Sequence, residues 1–470
     1  MDIVLTFSWI GIMLVIGVVL RVLIRPLGSI LMPASVIGGL IGFVLMNADI
    51  LPHLGASADG CSQIVSIFFT FSFISMGLTN VPKSEKINTG REAVKGSIGM
   101  GCIWNMLYAV QPLVGYGVLL LIGGAFSFSP KYGLLVPFAF DQGPGQSVTF
   151  GTQIEKNGLE GAMQVSITFA VIGFLFAFGV GVPIARYGLK HHLACYPEKL
   201  GDSIRKGIYK KEEQTQSAGT MTTYNGNIDP LAFCFAMTGL CYGITVPICK
   251  LLQQIPNQFA QIFGAMTFFV GMFVAYFVRF ILNRLDLKQY IDDGLQNRVT
   301  GFTTDFLIAA AFMSVKLSVV GRWLVPILIV SIACAIVTFF FCVFFASRIG
   351  GYYDFERFLG IWGCATGTCP SGVALIRIID PKMRTTASSE MGSMNAVMLV
   401  PTFIAPMIIS FCADGIRFST LLLWFAAMFA VSLVGSILTG NVKKKPTFNF
   451  VRGEKYLKLP EEDAREDRAS

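Results

Sequence analysis

Long apolar runs separated by short polar stretches dominate the chain. A helix crossing a bilayer needs about 20 mostly apolar residues, and eleven runs approach that length. In the first half they are residues 3–24, 30–46, 62–79, 96–122 and 159–185. In the second half they are 230–249, 259–282, 300–319, 323–346 and 391–412, with one more at 419–440. The short second run opens PASVIGGLIG. Its Gly38 and Gly42 stand four residues apart and predict a small-residue face for close helix packing.

Two stretches interrupt this pattern. Residues 358–380, FLGIWGCATGTCPSGVALIRIID, interleave Gly360, Gly363, Gly367, Pro370 and Gly372 with Thr366, Thr368 and Ser371. Glycine and proline deny a continuous helix and leave backbone groups without partners. In hydrocarbon such backbone survives only where protein buries it or where it lines a wet cavity. Residues 138–152, FAFDQGPGQSVTFGT, hold the matching place in the first half. Interrupted segments at corresponding places in two halves point to the binding site of a secondary transporter.

The pattern predicts an all-α polytopic membrane protein with about 11 transmembrane helices in inverted five-helix repeats, each with a re-entrant hairpin. The first repeat covers residues 1–186, with its hairpin at about 131–157. A cytoplasmic linker at 187–229 leads to the second repeat, 230–412, with its hairpin at about 353–380. An extra helix at 413–440 and a cytoplasmic tail at 441–470 follow.

Composition agrees: 54% of residues are hydrophobic and only 14% charged, against about 25% charged in soluble domains. The net charge of +8 would suit nucleic acid or an anionic substrate, but its distribution argues for topology instead. With the amino terminus outside, only Lys131, Lys156, Lys250, Lys316, Arg322 and Arg417 fall outside. The remaining 30 of the 36 Lys and Arg lie in cytoplasmic segments, a strong positive-inside bias. The first hairpin then dips in from outside and the second from inside. Asp2 and the lack of a basic leader or cleavage motif make the first run a retained span. A multi-pass protein of the inner (cytoplasmic) membrane is expected, touching lipid and not nucleic acid. The eleven cysteines read as small buried hydrophobes. Cys364 and Cys369 flank the second interruption, open to thiol reagents without a redox or metal role.

The interruptions supply what a cation and an amino acid need. Unwound carbonyls and Thr or Ser hydroxyls are hard oxygen ligands, and freed amides at a half-helix start attract a carboxylate. Candidate substrate-binding residues are Gln142, Gly143, Gly145, Gln146 and Ser147 in the first segment. In the second they are Gly367, Thr368 and Ser371. The plainer alternative is that the glycines serve only close packing. Asp141 and Asp305 are carboxylates within apolar surroundings, which cost about 2.5–3.5 kcal/mol at mid-helix. With Thr366 they are the candidate sodium ligands, Asp305 reading equally as a helix cap. Arg377 could meet an acidic side chain of the substrate or snorkel to the cytoplasm. Asn395 and Gln164 are amides facing the candidate site. An intramembrane enzyme is disfavoured, because Ser371 or Asp141 would lack a partner base. No cofactor is expected beyond a coupling ion.

PASVIGGLIG, FFTFSFISMGLT, FDQGPGQSVTFG, DFLIAAAFMSVKL and GCATGTCPSGVA, in that order and spacing, resemble the glutamate:sodium symporter (ESS) family from about Pro33 to Ile409. The resemblance implies an inverted-repeat fold with two re-entrant hairpins and a homodimer. It also implies sodium-coupled uptake of glutamate, by an elevator movement of the hairpin-bearing domain. Gln142, Pro144, Asp305 and Arg377 depart from the family's pattern, and Asp305 and Arg377 lie where selectivity could be set. Uptake of another small carboxylate or amino acid, coupled to sodium or protons, is the alternative.

Overall fold

A computed structural model describes residues 3–30, 32–79, 89–196, 206–208, 222–223, 227–381 and 383–457. Most of the linker between the halves and the last residues of the tail therefore lie outside the described residues. Helices α1 (Ile3–Leu23), α2 (Ala34–Asn47), α3 (Ala58–Leu78) and α4 (Thr89–Ile122) open the chain. A first hairpin follows, α5 (Val136–Phe140) and α6 (Pro144–Lys156), then the long α7 (Ala162–Lys190). The second half brings α8 (Pro230–Gln254), α9 (Gln258–Ala265), α10 (Thr267–Arg284), α11 (Asp293–Met313) and α12 (Leu324–Ala346). The second hairpin is α13 (Asp354–Ala365) and α14 (Cys369–Ile379), followed by α15 (Ala387–Ser393), α16 (Ala405–Cys412) and α17 (Phe418–Leu438). Two short antiparallel strands, β1 (Phe448–Asn449) and β2 (Glu454–Lys455), close the described chain.

Among the described residues, eight helices are long and apolar enough to span a bilayer: α1, α3, α4, α7, α8, α10, α12 and α17. The protein is a multi-pass membrane protein. Three of the eleven predicted spans differ. The run at 30–46 yields a helix of only 14 residues. The run at 300–319 belongs to α11, which starts earlier because Asp292 caps it, accepting from the Leu295 amide at 2.7 Å. Its polar first turns keep it from being apolar throughout. The run at 391–412 is not one helix: α15 gives way to a 3-10 stretch, Met394–Phe403, and then α16. Pro401 and Pro406 remove backbone donors there. The tail's strand pair is a small exception to the all-α expectation.

The chain divides into two compact units, each drawn from both halves. The first comprises Met1–Gly28, Met32–Asn80 and Lys206–Ser318. In it α1 packs on α2, α3 on α10 and α11, and α8 on α9 and α10. Gly38 lies against the Met13 carbonyl and Gly42 against the Met313 side chain, so the predicted small-residue face is used as such. A polar seam joins α3, α8 and α11. Ser72 and Thr303 hydroxyls lie 2.7 Å apart, and Gln296 Nε2 donates to Ser75 Oγ at 2.8 Å and Thr238 Oγ1 at 3.0 Å. Such bonds within a membrane average about 0.6 kcal/mol each, so the seam fixes register more than it adds stability.

The second unit, Ser29–Leu31, Val81–Arg205 and Val319–Ser470, carries both hairpins. Its organising rod is α4, whose 34 residues run about 51 Å. Near its start, Glu92 meets Arg357 at the base of the second hairpin, at 3.1 Å. Near its end, Gly115 packs backbone to backbone against Gly133 at the base of the first. The hairpins thus enter along α4 from opposite ends.

Candidate functional site

The two hairpin turns touch. The first, Asp141–Gly143, brings Gly143 to φ +77, a left-handed conformation natural to glycine, immediately before Pro144 starts α6. A methyl on Gly143 would strike Thr368 Cγ2 and stand 3.0 Å from the Gly367 carbonyl. Those residues form the second turn, immediately before α14. Each turn is therefore followed at once by a helix start whose first amides lack intrahelical partners, and the two starts share one neighbourhood. Glycines also allow the arms of the second hairpin to close: Gly363 lies against the backbone of Gly372. On the far side Gly173 of α7 admits the Thr366 carbonyl.

Gln111, midway along α4, ties the turns together. Its Nε2 donates to the Ala365 carbonyl at 2.9 Å, to Thr338 Oγ1 of α12 at 3.0 Å and to Asp141 Oδ1 at 3.4 Å. Trp104 Nε1 donates to the Asp141 carbonyl at 3.1 Å. The Asp141 side chain is 2% exposed, with no cation paired to it among the described residues. Its Oδ2 accepts no hydrogen bond, nor do Gln111 Oε1 and Gln146 Oε1, although all three are buried. Buried acceptors without donors are costly. Asp141 and Gln111, which touch each other, thus each present a hard oxygen of that kind, one of them a carboxylate's, and such oxygens suit a small hard cation.

Most of the predicted residues share this unit. Gln142 Oε1 lies 3.5 Å from the Tyr108 hydroxyl. Gly145 and Gln146 are buried in the first turn of α6. Ser147 Oγ donates to its own hairpin, to Gly143 O at 3.1 Å and Phe138 O at 3.3 Å, which braces the turn. Thr366 is buried and donates to the Trp362 carbonyl at 2.7 Å. Thr368 and Ser371 hydroxyls are 3.1 Å apart across the start of α14. Asn395 reaches this turn through Cys369, whose Sγ lies 3.6 Å from Asn395 Oδ1. Gln164 is buried in the first turn of α7. Arg377 lies away from the turns, exposed at the far end of α14, about 12 Å along its axis from Cys369. Asp305 belongs to the other unit, where it is exposed on α11 beside Ser35.

Sequence reading missed Gln111, Trp104, Tyr108 and Thr338. For Gln111 there was a signal, an amide followed by Pro112 in the middle of an apolar run. It also missed a buried ionic cluster at the base of the second hairpin. Arg357 donates Nε and Nη2 to Glu390 at 2.7 Å each, and Nη1 to Asp354 Oδ1 at 2.9 Å and Glu92 Oε1 at 3.1 Å. Asp354 Oδ2 accepts from the Gly350 amide and from Thr447 Oγ1 of the tail, both at 2.8 Å. Counted by sequence as one more cytoplasmic positive charge, Arg357 is instead an internal brace.

Two interrupted hairpins meeting around unpaired buried oxygens, with eight membrane-length helices among the described residues, define a membrane transporter. The sequence profile of the sodium/glutamate symporter family matches residues 1–384, and the chain belongs to that family. It is a transporter and not an enzyme, and sodium and glutamate are the substrates the family implies. No curated protein matches the chain. Among solved structures it is similar to the sodium proton antiporter MjNhaP1 from Methanocaldococcus jannaschii, at 15% identity. That similarity covers 94% of this chain and 100% of the other, at a TM-score of 0.38, too low to bear on fold or function.

Proposed function

We propose that the protein takes up glutamate into the cell by sodium-coupled symport, with both bound where the hairpin turns meet. The observation that carries this reading is the contact of Gly143 with Gly367 and Thr368, beside the unpartnered Asp141 Oδ2. Asp141, the Gln111 amide oxygen and the Thr366 hydroxyl are the groups we assign to sodium. The first amides of α6 and α14, with Gln142, Gly143, Gly145, Gln146, Ser147, Gly367, Thr368, Ser371 and Asn395, line the place for the amino acid. Asp305 and Arg377 belong to this proposal only as charges that tune selectivity. No cofactor enters the scheme.

Sodium entering first neutralises Asp141 and draws the acceptor oxygens together. The closed turns then present a helix start to the substrate carboxylate. The hairpin-bearing unit exposes this place alternately to the two sides. Sodium in excess of the substrate's negative charge makes uptake electrogenic. Each net charge carried inward gains about 2.3 kcal/mol per 100 mV, or roughly fiftyfold accumulation.

The repeat scheme set out above, residues 1–186 and 230–412, is supported by packing partners that map onto each other when the halves exchange. In the first unit α2 packs on α11 as α10 packs on α3, and in the second α4 packs on its counterpart α12. The assigned sidedness is supported by ion pairs between segments given to the same face. Lys316 meets Asp59 and Lys131 meets Asp414, both pairs outside and at 2.7 Å; Arg279 meets Asp293 inside, at 3.4 Å. The amino terminus outside, the linker and tail in the cytoplasm, the inner membrane and a homodimer complete the proposal.

Radiolabelled glutamate uptake into proteoliposomes tests it, with inward sodium gradients, proton gradients and a panel of competing carboxylates. Uptake driven by sodium and competed by glutamate supports the assignment. Asp141 would equally bind a proton, so uptake driven by protons alone, or competed better by another acid, would replace it with the alternative coupling or substrate.

A further inference from the structure

We propose that Cys364 and Cys369 form a dithiol that closes to a disulfide across the turn of the second hairpin, and that closure arrests transport. By sequence they read as open to thiol reagents but without a redox role. In the structure Cys364, the penultimate residue of α13, and Cys369, the first of α14, bring their sulfurs to 3.4 Å. That is van der Waals contact, reached because Gly363 and Gly372 let the two arms close. The pair encloses Ala365, Thr366, Gly367 and Thr368, the residues that meet the first hairpin. Cys364 is fully buried, whereas Cys369 is part-exposed. An accessible thiol beside a buried one is the arrangement of an attacking cysteine with its resolving partner.

The co-reactant is a low-molecular-weight disulfide. The Cys369 thiolate attacks one of its sulfurs, forming a mixed disulfide and releasing one small thiolate. The Cys364 sulfur, losing its proton, then attacks Cys369 Sγ and expels the second small thiol. Two protein thiols are oxidised and one small disulfide is reduced to two thiols. Bonding draws the sulfurs from 3.4 Å to about 2.05 Å. It also ends the Cys369 S–H contact to Asn395 Oδ1. The turn has no slack to absorb this, since Gly143 already abuts Thr368 and Gly173 already abuts the Thr366 carbonyl.

The consequence for transport rests on the function proposed above; the bond itself does not. Full-length protein in proteoliposomes is treated with a pyridyl disulfide, then assayed for uptake and by mass spectrometry of the peptide holding both cysteines. The expected peptide has lost two hydrogens and carries no adduct. Uptake falls about tenfold, as when a conformational step is blocked, and dithiothreitol restores it. Cys364→Ser retains the pyridyl adduct on Cys369, and the double Cys→Ser variant transports and is insensitive. A wild-type peptide that keeps a stable adduct overturns the disulfide, whatever transport does. A disulfide that forms while uptake is unchanged, or inhibition that persists in the double variant, overturns the arrest. Absence of any sodium-driven uptake before treatment counts against the transport reading alone.

Discussion

The base of the second hairpin and the meeting point of the two turns are both buried, polar and attached to α4, yet they are finished differently. At the base, the Arg357 guanidinium nitrogens all find acceptors on Glu390, Asp354 and Glu92, and every one of those charges is answered. At the turns and on α4 beside them, among the described residues, the Asp141 carboxylate has no cation, and Asp141 Oδ2, Gln111 Oε1 and Gln146 Oε1 have no donor. Burial alone does not mark a functional site. Glu356, next to Arg357, also keeps a buried carboxylate oxygen without a donor, so a missing partner does not mark a site by itself. At the turns it coincides with two helix starts, and the proposed function has the ligand complete it.

The largest expected effect is at the anchor. Arg357→Ala leaves Glu390 and Asp354 buried without their counter-charge, and breaking a buried pair in this way costs about 3–5 kcal/mol. Thermal unfolding of the detergent-solubilised protein should show a large loss, with uptake lost because folded protein is lost. If Arg357→Ala unfolds like wild type, the base is not an anchor.

Asp141→Asn should behave the opposite way. The shape is kept and a buried unpaired charge is removed, so stability without sodium is kept or raised. A charged contact of about 1.5–3 kcal/mol to the cation is lost, which raises half-saturating sodium by about tenfold or more. Sodium activation curves of uptake measure this, and an unchanged curve would move the cation elsewhere. Gly143→Ala is expected to be milder in stability, about 1–2 kcal/mol for a side chain at positive φ. It should still reduce uptake sharply, because the added methyl meets Thr368. The unfolding midpoint and uptake rate, measured together, separate the two effects. Arg377→Gln should be smallest: an exposed side chain about 12 Å along α14 from the turn should alter glutamate uptake by less than about twofold.

How much of this was legible in the sequence depended on how local the signal was. Gly38 and Gly42, four apart in one run, predicted a close-packing face, and α2 packs there against Met13 of α1 and Met313 of α11. The Gly, Pro and Thr clusters around 143 and 367 located both turns, because their composition forbids anything but a break. What joins the turns was not legible, since Gln111, Thr338 and Ala365 are distant in sequence and each is unremarkable alone. The Arg357 cluster failed for the same reason: Glu92, Asp354, Arg357 and Glu390 read as loop charges until the fold gathers them. The run at 391–412 is apolar enough to look like one helix, but Pro401 and Pro406 remove backbone donors from it. Asp305 read from sequence as a carboxylate in an apolar run or as a helix cap; it lies in the first unit, exposed on α11.

The claim that the meeting turns hold the substrate and its ion is tested most directly by the reactivity of one position there. In a background of Cys364→Ser and Cys369→Ser, a Thr368→Cys substitution is labelled with a membrane-impermeant thiol reagent, with and without sodium and glutamate. Sodium and glutamate together are predicted to slow labelling by about tenfold, as occupation of the turn protects it, while a cysteine replacing Arg377 is labelled at the same rate throughout. Equal labelling of Thr368→Cys with and without sodium and glutamate, in protein that still transports, would contradict the account.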